Sequence, residues 1–133
     1  MRLKLPSRIE YRHLALRVVG SACNLVPDRG DGFHDEVVSA FGEAFNNVIV
    51  HGCGAGAGDL EIEIETGRDH MTIRMMDYGN PLDLASAVDP DLDALPERGV
   101  GMFILRSFMD DVTYVRGRPN VLSMTKRVER EGR

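Results

Sequence analysis

Gly42-Glu43-Ala44-Phe45-Asn46-Asn47-Val48-Ile49-Val50-His51 is the stretch around which the rest of this chain is organised. Glu43, Asn47 and His51 recur every four residues, and an α-helix stacks residues at that spacing along one stripe. Val37, Phe41, Ala44, Phe45 and Val48 fall mostly on other faces and can anchor the helix in a core. A stripe of acid, amide and imidazole on an apolar helix is costly to bury unless something polar fills the space above it. A solvated helix face would explain the same stripe, so the flanking sequence has to decide.

Working outward, Pro27 to Gly32 is an Asp- and Gly-rich turn that leads into this helix, expected from about His34 to His51. Gly52-Cys53-Gly54-Ala55-Gly56-Ala57-Gly58 ends it in a glycine loop. Upstream, Ser7-Arg8-Ile9-Glu10 has the form of a capping box. Tyr11, Leu14, Ala15, Val18 and Ala22 then recur at helical spacing and predict a first helix running to about Cys23. His13 on that helix reads as a surface or half-packed histidine. Leu3 and Leu5 alternate with Arg2 and Lys4, which suits a short edge strand.

Downstream, Leu60, Ile62 and Ile64 alternate with Glu61, Glu63 and Glu65, giving a strand with one buried and one solvated acidic face. Met71, Ile73 and Met75 alternate again after Gly67-Arg68-Asp69, so the two runs form an antiparallel hairpin. The second strand enters Asp77-Tyr78-Gly79-Asn80-Pro81. Leu82 to Glu97 is polar and Pro-containing, and reads as a mobile loop. Its acids Asp83, Asp89, Asp91 and Asp93 lack the Gly and closing Glu of a calcium loop. Arg98-Gly99-Val100-Gly101 opens an apolar helix from Met102 to Met109. A closing hairpin, Val112–Val115 and Val121–Lys126, folds around Gly117-Arg118-Pro119-Asn120.

Bulk properties narrow the function. The chain's 133 residues suit one domain, and 43% hydrophobic with 28% charged residues suits a soluble one. A net charge of −5 leaves no broad basic surface for nucleic acid and disfavours electrostatic membrane binding. No apolar run reaches the ~18 residues of a membrane span, and the start lacks a signal-peptide core. Cys23 and Cys53 have no metal or CxxC spacing, which fits reduced thiols in a cytoplasm.

Chemistry concentrates in three places. Gly99 and Gly101 precede a helix, whose free N–H groups and dipole favour an anion, and glycine lets a phosphate approach closely. This is no dinucleotide fingerprint, because residue 104 is Ile, and no GxxxxGK[ST] phosphate loop occurs. A loop of small residues packing at a helix start would look the same. Asp77, at a strand end before Gly79, offers a carboxylate to an exocyclic amine, although a turn-forming Asp before Gly is common. Each feature alone is ambiguous, but their order is specific: E-x-x-x-N-x-x-x-H on a helix, D-x-G-x-P after a strand, then G-x-G at a helix start.

That ordered set resembles the GHKL ATPase superfamily, with its N-box and two glycine boxes. Within it, the chain is most similar to the small anti-sigma factor serine kinases of bacterial partner-switching systems. Gly99-Val100-Gly101-Met102-Phe103-Ile104-Leu105 and Met109-Asp110-Asp111-Val112 are especially close to that subfamily. The resemblance covers nearly the whole chain and implies a single domain over residues 1–133. The implied fold is an α/β sandwich, a mixed and mostly antiparallel sheet with helices on one face.

The resemblance also implies roles. Asn47 would coordinate Mg²⁺ on the phosphates of ATP or ADP, and Glu43 would be the catalytic base. Asp77 would recognise the adenine amine, with Gly79 giving the ring room. Arg98, Gly99, Val100, Gly101 and Met102 would hold the phosphates, Leu82 to Arg98 would form a lid, and His51 would support the site. The implied partners are a small anti-sigma-factor antagonist, phosphorylated on serine, and a sigma factor held inactive; the resemblance also favours a homodimer. One departure is Asn120, which lies about where the family often has a Thr near the nucleotide; another is the short lid. Two rival readings are a nucleotide-dependent binding module without kinase activity and a detached sensor histidine kinase domain. The carboxylate at Glu43 argues against the first, and the missing phospho-acceptor helix against the second.

Overall fold

A computed structural model describes residues 1–53, 58–82 and 97–129, with 51–53 and 97–102 described by backbone alone. In chain order the elements are β1 (Arg2–Pro6), a 3₁₀ turn (Ile9–Tyr11), α1 (Arg12–Cys23), α2 (Phe33–Asn46) and a π-helical turn (Asn47–Cys53). Then follow β2 (Asp59–Thr66), β3 (His70–Asp77), α3 (Glu97–Phe108), β4 (Asp111–Val115) and β5 (Asn120–Arg127).

The strands pair in the order β1-β2-β3-β5-β4. Every pairing among the described strands is antiparallel, in keeping with the mostly antiparallel sheet expected. β3 and β4 both oppose β5 and therefore run the same way. The chain must cross over between them, and α3 lies on that crossover.

Register explains which face the helices cover. Leu3, Ile62, Met75, Leu122 and Tyr114 stand in one cross-strand row, and Ile64, Ile73, Met124 and Val112 in another. Both rows belong to one hydrophobic core with Val37, Phe41, Ala44, Phe45 and Val48 of the central helix segment. The opposite face carries the row Arg2, Glu63, Arg74, Ser123 and Thr113. There Glu63 receives Arg2 at 2.7 Å and Arg74 at 3.4 Å, so the acidic face is solvated and ion-paired as the alternation requires. Exposed pairs like these contribute little each. The core holds the fold.

Ile73 sits in the middle of β3, fully buried between the two neighbouring strands and the helical layer. Ile73→Ala is expected to cost about 2–5 kcal/mol of stability, through lost burial plus the cavity left behind. Chemical denaturation of the variant would measure it, and a cost below about 1 kcal/mol would mean the site collapses around the smaller side chain.

α2 packs between α1 and α3. A Cβ on Gly20 would meet His34 at 2.9 Å, and one on Gly42 would meet the Arg12 guanidinium at 2.6 Å. The start of α1 therefore crosses the end of α2, so the two run antiparallel in close approach. At the other end of α2, Lys126 on β5 pairs with Glu36 at 2.5 Å and donates to the Phe108 carbonyl at 2.7 Å. One half-buried cation thus satisfies the C-terminal end of α3 and the acidic first turn of α2 together.

Two helix starts differ from expectation. The Ser7 capping box does not form: Ser7 is buried, its hydroxyl has no partner among the described residues, and Glu10 takes the Arg8 guanidinium instead. A 3₁₀ turn intervenes, so α1 begins only at Arg12. The turn rotates the helical face, leaving Leu14 exposed and burying Val19. Gly32 caps α2 at φ +89°, a conformation that suits glycine.

Cys23 is buried in the core, its Sγ 3.7 Å from Met71 Sδ. Burial is the main cause that pushes its thiol pKa from 9.0 up to about 11. The native protein is therefore expected to resist alkylation at Cys23 at neutral pH, and denaturant should release the reactivity. The sign of the pH effect follows: the thiol's contribution to stability is full below pH 9 and is lost as pH rises toward 11.

Candidate functional site

Asp77 ends β3 facing Asn120 of β5 directly across the ladder. Both side chains are buried, Asp77 at 2% and Asn120 at 0% exposure. Asp77 Oδ1 accepts the Gly79 N–H at 2.9 Å, an Asx-type turn that folds the chain at the end of the strand. The same Oδ1 accepts Asn120 Nδ2 at 3.2 Å. Nδ2 also donates to the Gly79 carbonyl at 3.0 Å, and Asn120 Oδ1 accepts the Gly117 N–H at 3.0 Å. The turn-forming role foreseen for Asp77 is thus real, but it occupies one carboxylate oxygen. Oδ2 has no hydrogen-bond partner among the described residues. A buried carboxylate with one oxygen unspent is an acceptor awaiting a donor.

Glu43 and Asn47 lie at the end of α2. The Asn47 N–H donates to the Glu43 and Ala44 carbonyls, and its dihedrals stay in the right-handed region. The one-turn spacing between the acid and the amide is therefore kept. Glu43 is half-buried and Asn47 is 8% exposed. Asn47 Nδ2 is a buried nitrogen without a partner among the described residues. A buried orphan on an amide side chain needs an explanation, and a polar ligand supplies one. The donor set suits a hydrated divalent cation on phosphates: an amide oxygen with a carboxylate one turn away.

After Asn46 the helix widens into π geometry through Cys53. This was not foreseen, since periodicity cannot distinguish the two windings. Such π segments recur at functional sites. His51 falls in it, and its side chain lies outside what is described.

Arg98, Gly99, Val100, Gly101 and Met102 are already helical, because α3 starts at Glu97. The glycines therefore occupy the first turns of the helix, not a loop before it. The Gly99 N–H remains among the four that an α-helix leaves unpaired at its start. Residues 83–96, most of the expected lid and its acids, lie outside the described residues. Its first residue, Leu82, is 5% exposed, and its N–H donates to Tyr114 Oη at 2.7 Å.

Two clusters result. One is Asp77, Gly79 and Asn120 at the sheet end; the other is Glu43 and Asn47 on the central helix. No hydrogen bond joins them among the described residues. Sequence reasoning noted Asn120 only as a departure from a family pattern and missed its tie to Asp77. That tie depends on β5 lying beside β3, a strand order that no local sequence signal sets.

Comparison with known proteins bears on this arrangement. The family of histidine kinase-like ATPase domains matches residues 5–126. Serine-protein kinase RsbW of Bacillus cereus (strain G9842) is 24% identical over 137 residues, covering 97% of this chain and 85% of that protein. RsbW of Bacillus anthracis (strain CDC 684 / NRRL 3495) is 26% identical with the same coverage. Among solved structures, the RsbU and RsbW domains of a Mycobacterium tuberculosis protein align at TM-score 0.67 and 12% identity. That match covers 98% of this chain, which spans about a third (32%) of the mycobacterial one. The histidine kinase domain of an Erythrobacter litoralis blue-light activated kinase aligns at TM-score 0.53 and 13% identity, over 88% of this chain and 61% of that one. At these identities the structures speak to the fold alone. With 122 of 133 residues inside the family match, the chain belongs to the histidine kinase-like ATPase domain family.

Proposed function

We propose that this chain is an ATP-dependent serine protein kinase that phosphorylates a small anti-sigma-factor antagonist and, in another state, holds a sigma factor inactive. The observation that carries this is the half-buried Glu43 one turn before Asn47, whose buried amide nitrogen has no partner among the described residues. The names of the RsbW relatives support the reaction class, and the family supports ATP as the nucleotide.

Phosphoryl transfer asks a protein mainly for positioning and charge neutralisation. Asn47 would hold Mg²⁺ through its amide oxygen, and the ion would neutralise phosphate charge. Glu43 would orient the attacking serine hydroxyl and accept its proton. Asp77 Oδ2 would accept the adenine amine, with Gly79 beside it. Arg98, Gly99, Val100, Gly101 and Met102 at the start of α3 would meet the phosphates, and 82–98 would close over them. Residues 1–133 would act as one domain, in the cytoplasm and as a homodimer. No described helix is long and apolar enough to cross a membrane.

The test is direct. Incubated with γ-labelled ATP, Mg²⁺ and candidate antagonists encoded in the same genome, the protein should place label on a serine of one of them. Nucleotide-dependent capture of a sigma factor without any labelled serine would reduce the protein to a binding module.

A further inference from the structure

We infer that Asn120 is a positioning residue for base recognition, one that fixes Asp77 as an acceptor-only group without itself touching the base. The inference rests on the reading of Asp77 as the adenine contact given above. What it adds is how that contact is held, and by which residue.

Start from the amide. Asn120 has two N–H donors and one carbonyl oxygen. Nδ2 faces two acceptors, Asp77 Oδ1 at 3.2 Å and the Gly79 carbonyl at 3.0 Å, while Oδ1 faces a donor, the Gly117 N–H at 3.0 Å. A flipped amide would set oxygen against oxygen twice and N–H against N–H once, so only one orientation is tenable. Both donors are therefore spent inside the protein, and at 0% exposure the side chain has no surface for a ligand.

The consequence falls on Asp77. Its Oδ1 already holds two hydrogen bonds, from the Gly79 N–H and from Asn120 Nδ2. Two donors on one oxygen fix the carboxylate plane and leave Oδ2 as the group's free acceptor. Asn120 also ties three backbone segments together: the end of β3, the turn at Gly79, and the β4–β5 turn at Gly117. An aligned, pre-ordered acceptor discriminates between bases better than a mobile one, because no ordering cost is left for the ligand to meet. A hydroxyl at this position has a single proton and could not bond Asp77 and the Gly79 carbonyl at once.

The test compares ATP with purine riboside triphosphate, which lacks the exocyclic amine and so cannot use Asp77. Calorimetry on the wild-type protein with Mg²⁺ should give ATP an affinity advantage of about ten- to a hundredfold. Asn120→Ala should shrink that advantage to below about threefold, chiefly by weakening ATP, since the pair is coupled. Asn120→Thr, retaining one donor, should recover part of it. A merely structural role predicts instead that both nucleotides weaken by the same factor and the ratio survives; that result would overturn the inference. Should Asn120→Ala fail to fold, the wild-type protein still decides. Its Asn120 side-chain amide protons should exchange slowly in the absence of nucleotide, and rapid exchange would overturn the clamp. If the wild type binds neither nucleotide, or prefers neither, the adenine reading itself fails and this inference falls with it. If the wild type prefers ATP and Asn120→Ala keeps the preference, only the role of Asn120 is refuted.

Discussion

Glu43→Gln is expected to slow phosphate transfer to the antagonist by about 10²- to 10⁴-fold while leaving ATP affinity within about twofold. The substitution keeps the length and hydrogen-bonding capacity of the side chain and removes the group that accepts a proton. Glu43 is half-buried at the end of α2, so glutamine fits without repacking the core that Phe41, Ala44 and Phe45 make on the other faces. Asn47 still stands one turn along with its amide intact, so the metal and phosphates should bind as before. Asn47→Ala should behave differently, weakening Mg²⁺–ATP binding and turnover together. Labelled-phosphate transfer under single-turnover conditions, set beside calorimetric ATP binding, separates the two signatures. Normal transfer by Glu43→Gln would refute the assigned role; loss of rate and affinity together would point to a structural one.

The sequence carried the sheet well because strand alternation is a period-two signal with little ambiguity. Leu60, Ile62 and Ile64 against Met71, Ile73 and Met75 were legible as a hairpin, and the register bears that out. The central helix was legible because Val37, Phe41, Ala44, Phe45 and Val48 demand one buried side, and all five are fully buried. Helix ends were less legible, for physical reasons. Ser7 and Glu10 have the composition of a capping box, yet Ser7 is drawn into the interior, its N–H donating to the Gly58 carbonyl at 3.0 Å. A local pattern cannot know that a distant loop competes for the same residue. At α3 the glycines suggested a loop, but low intrinsic propensity at Gly99 and Gly101 did not prevent helix from Glu97 onward.

The site was legible in parts. The order of the three motifs pointed to Glu43, Asn47 and Asp77 because each lies at a defined end of a helix or strand. The clamp on Asp77 was not legible, because it depends on β5 lying directly beside β3 with Asn120 opposite Asp77. Strand order is a tertiary property, and the segment between β3 and β5 is long enough to permit several. The π winding after Asn46 was equally hidden, since one added residue per turn leaves no compositional mark.

Asp77→Asn is expected to lower ATP affinity about ten- to a hundredfold and to raise the relative affinity for GTP, with the fold intact. The argument turns on which oxygen is lost. In the wild type Oδ1 receives the Gly79 N–H and Asn120 Nδ2, and both donors would still need an acceptor there. The new amide must therefore place its oxygen at the Oδ1 position, because the reverse would face a donor with two donors. Its NH₂ then stands where Oδ2 stood. An acceptor for the adenine amine becomes a donor opposed to it, at a buried site where an unmade hydrogen bond costs about 1–3 kcal/mol. Guanine carries a carbonyl oxygen at the corresponding ring position, so the same change turns a repulsion into a match there. Asp77→Ala lacks this second effect and should lose ATP without gaining GTP. Competition calorimetry with both nucleotides on the two variants measures it. Unchanged ATP affinity in Asp77→Asn, with unfolding midpoints equal to wild type, would remove Asp77 from the base site.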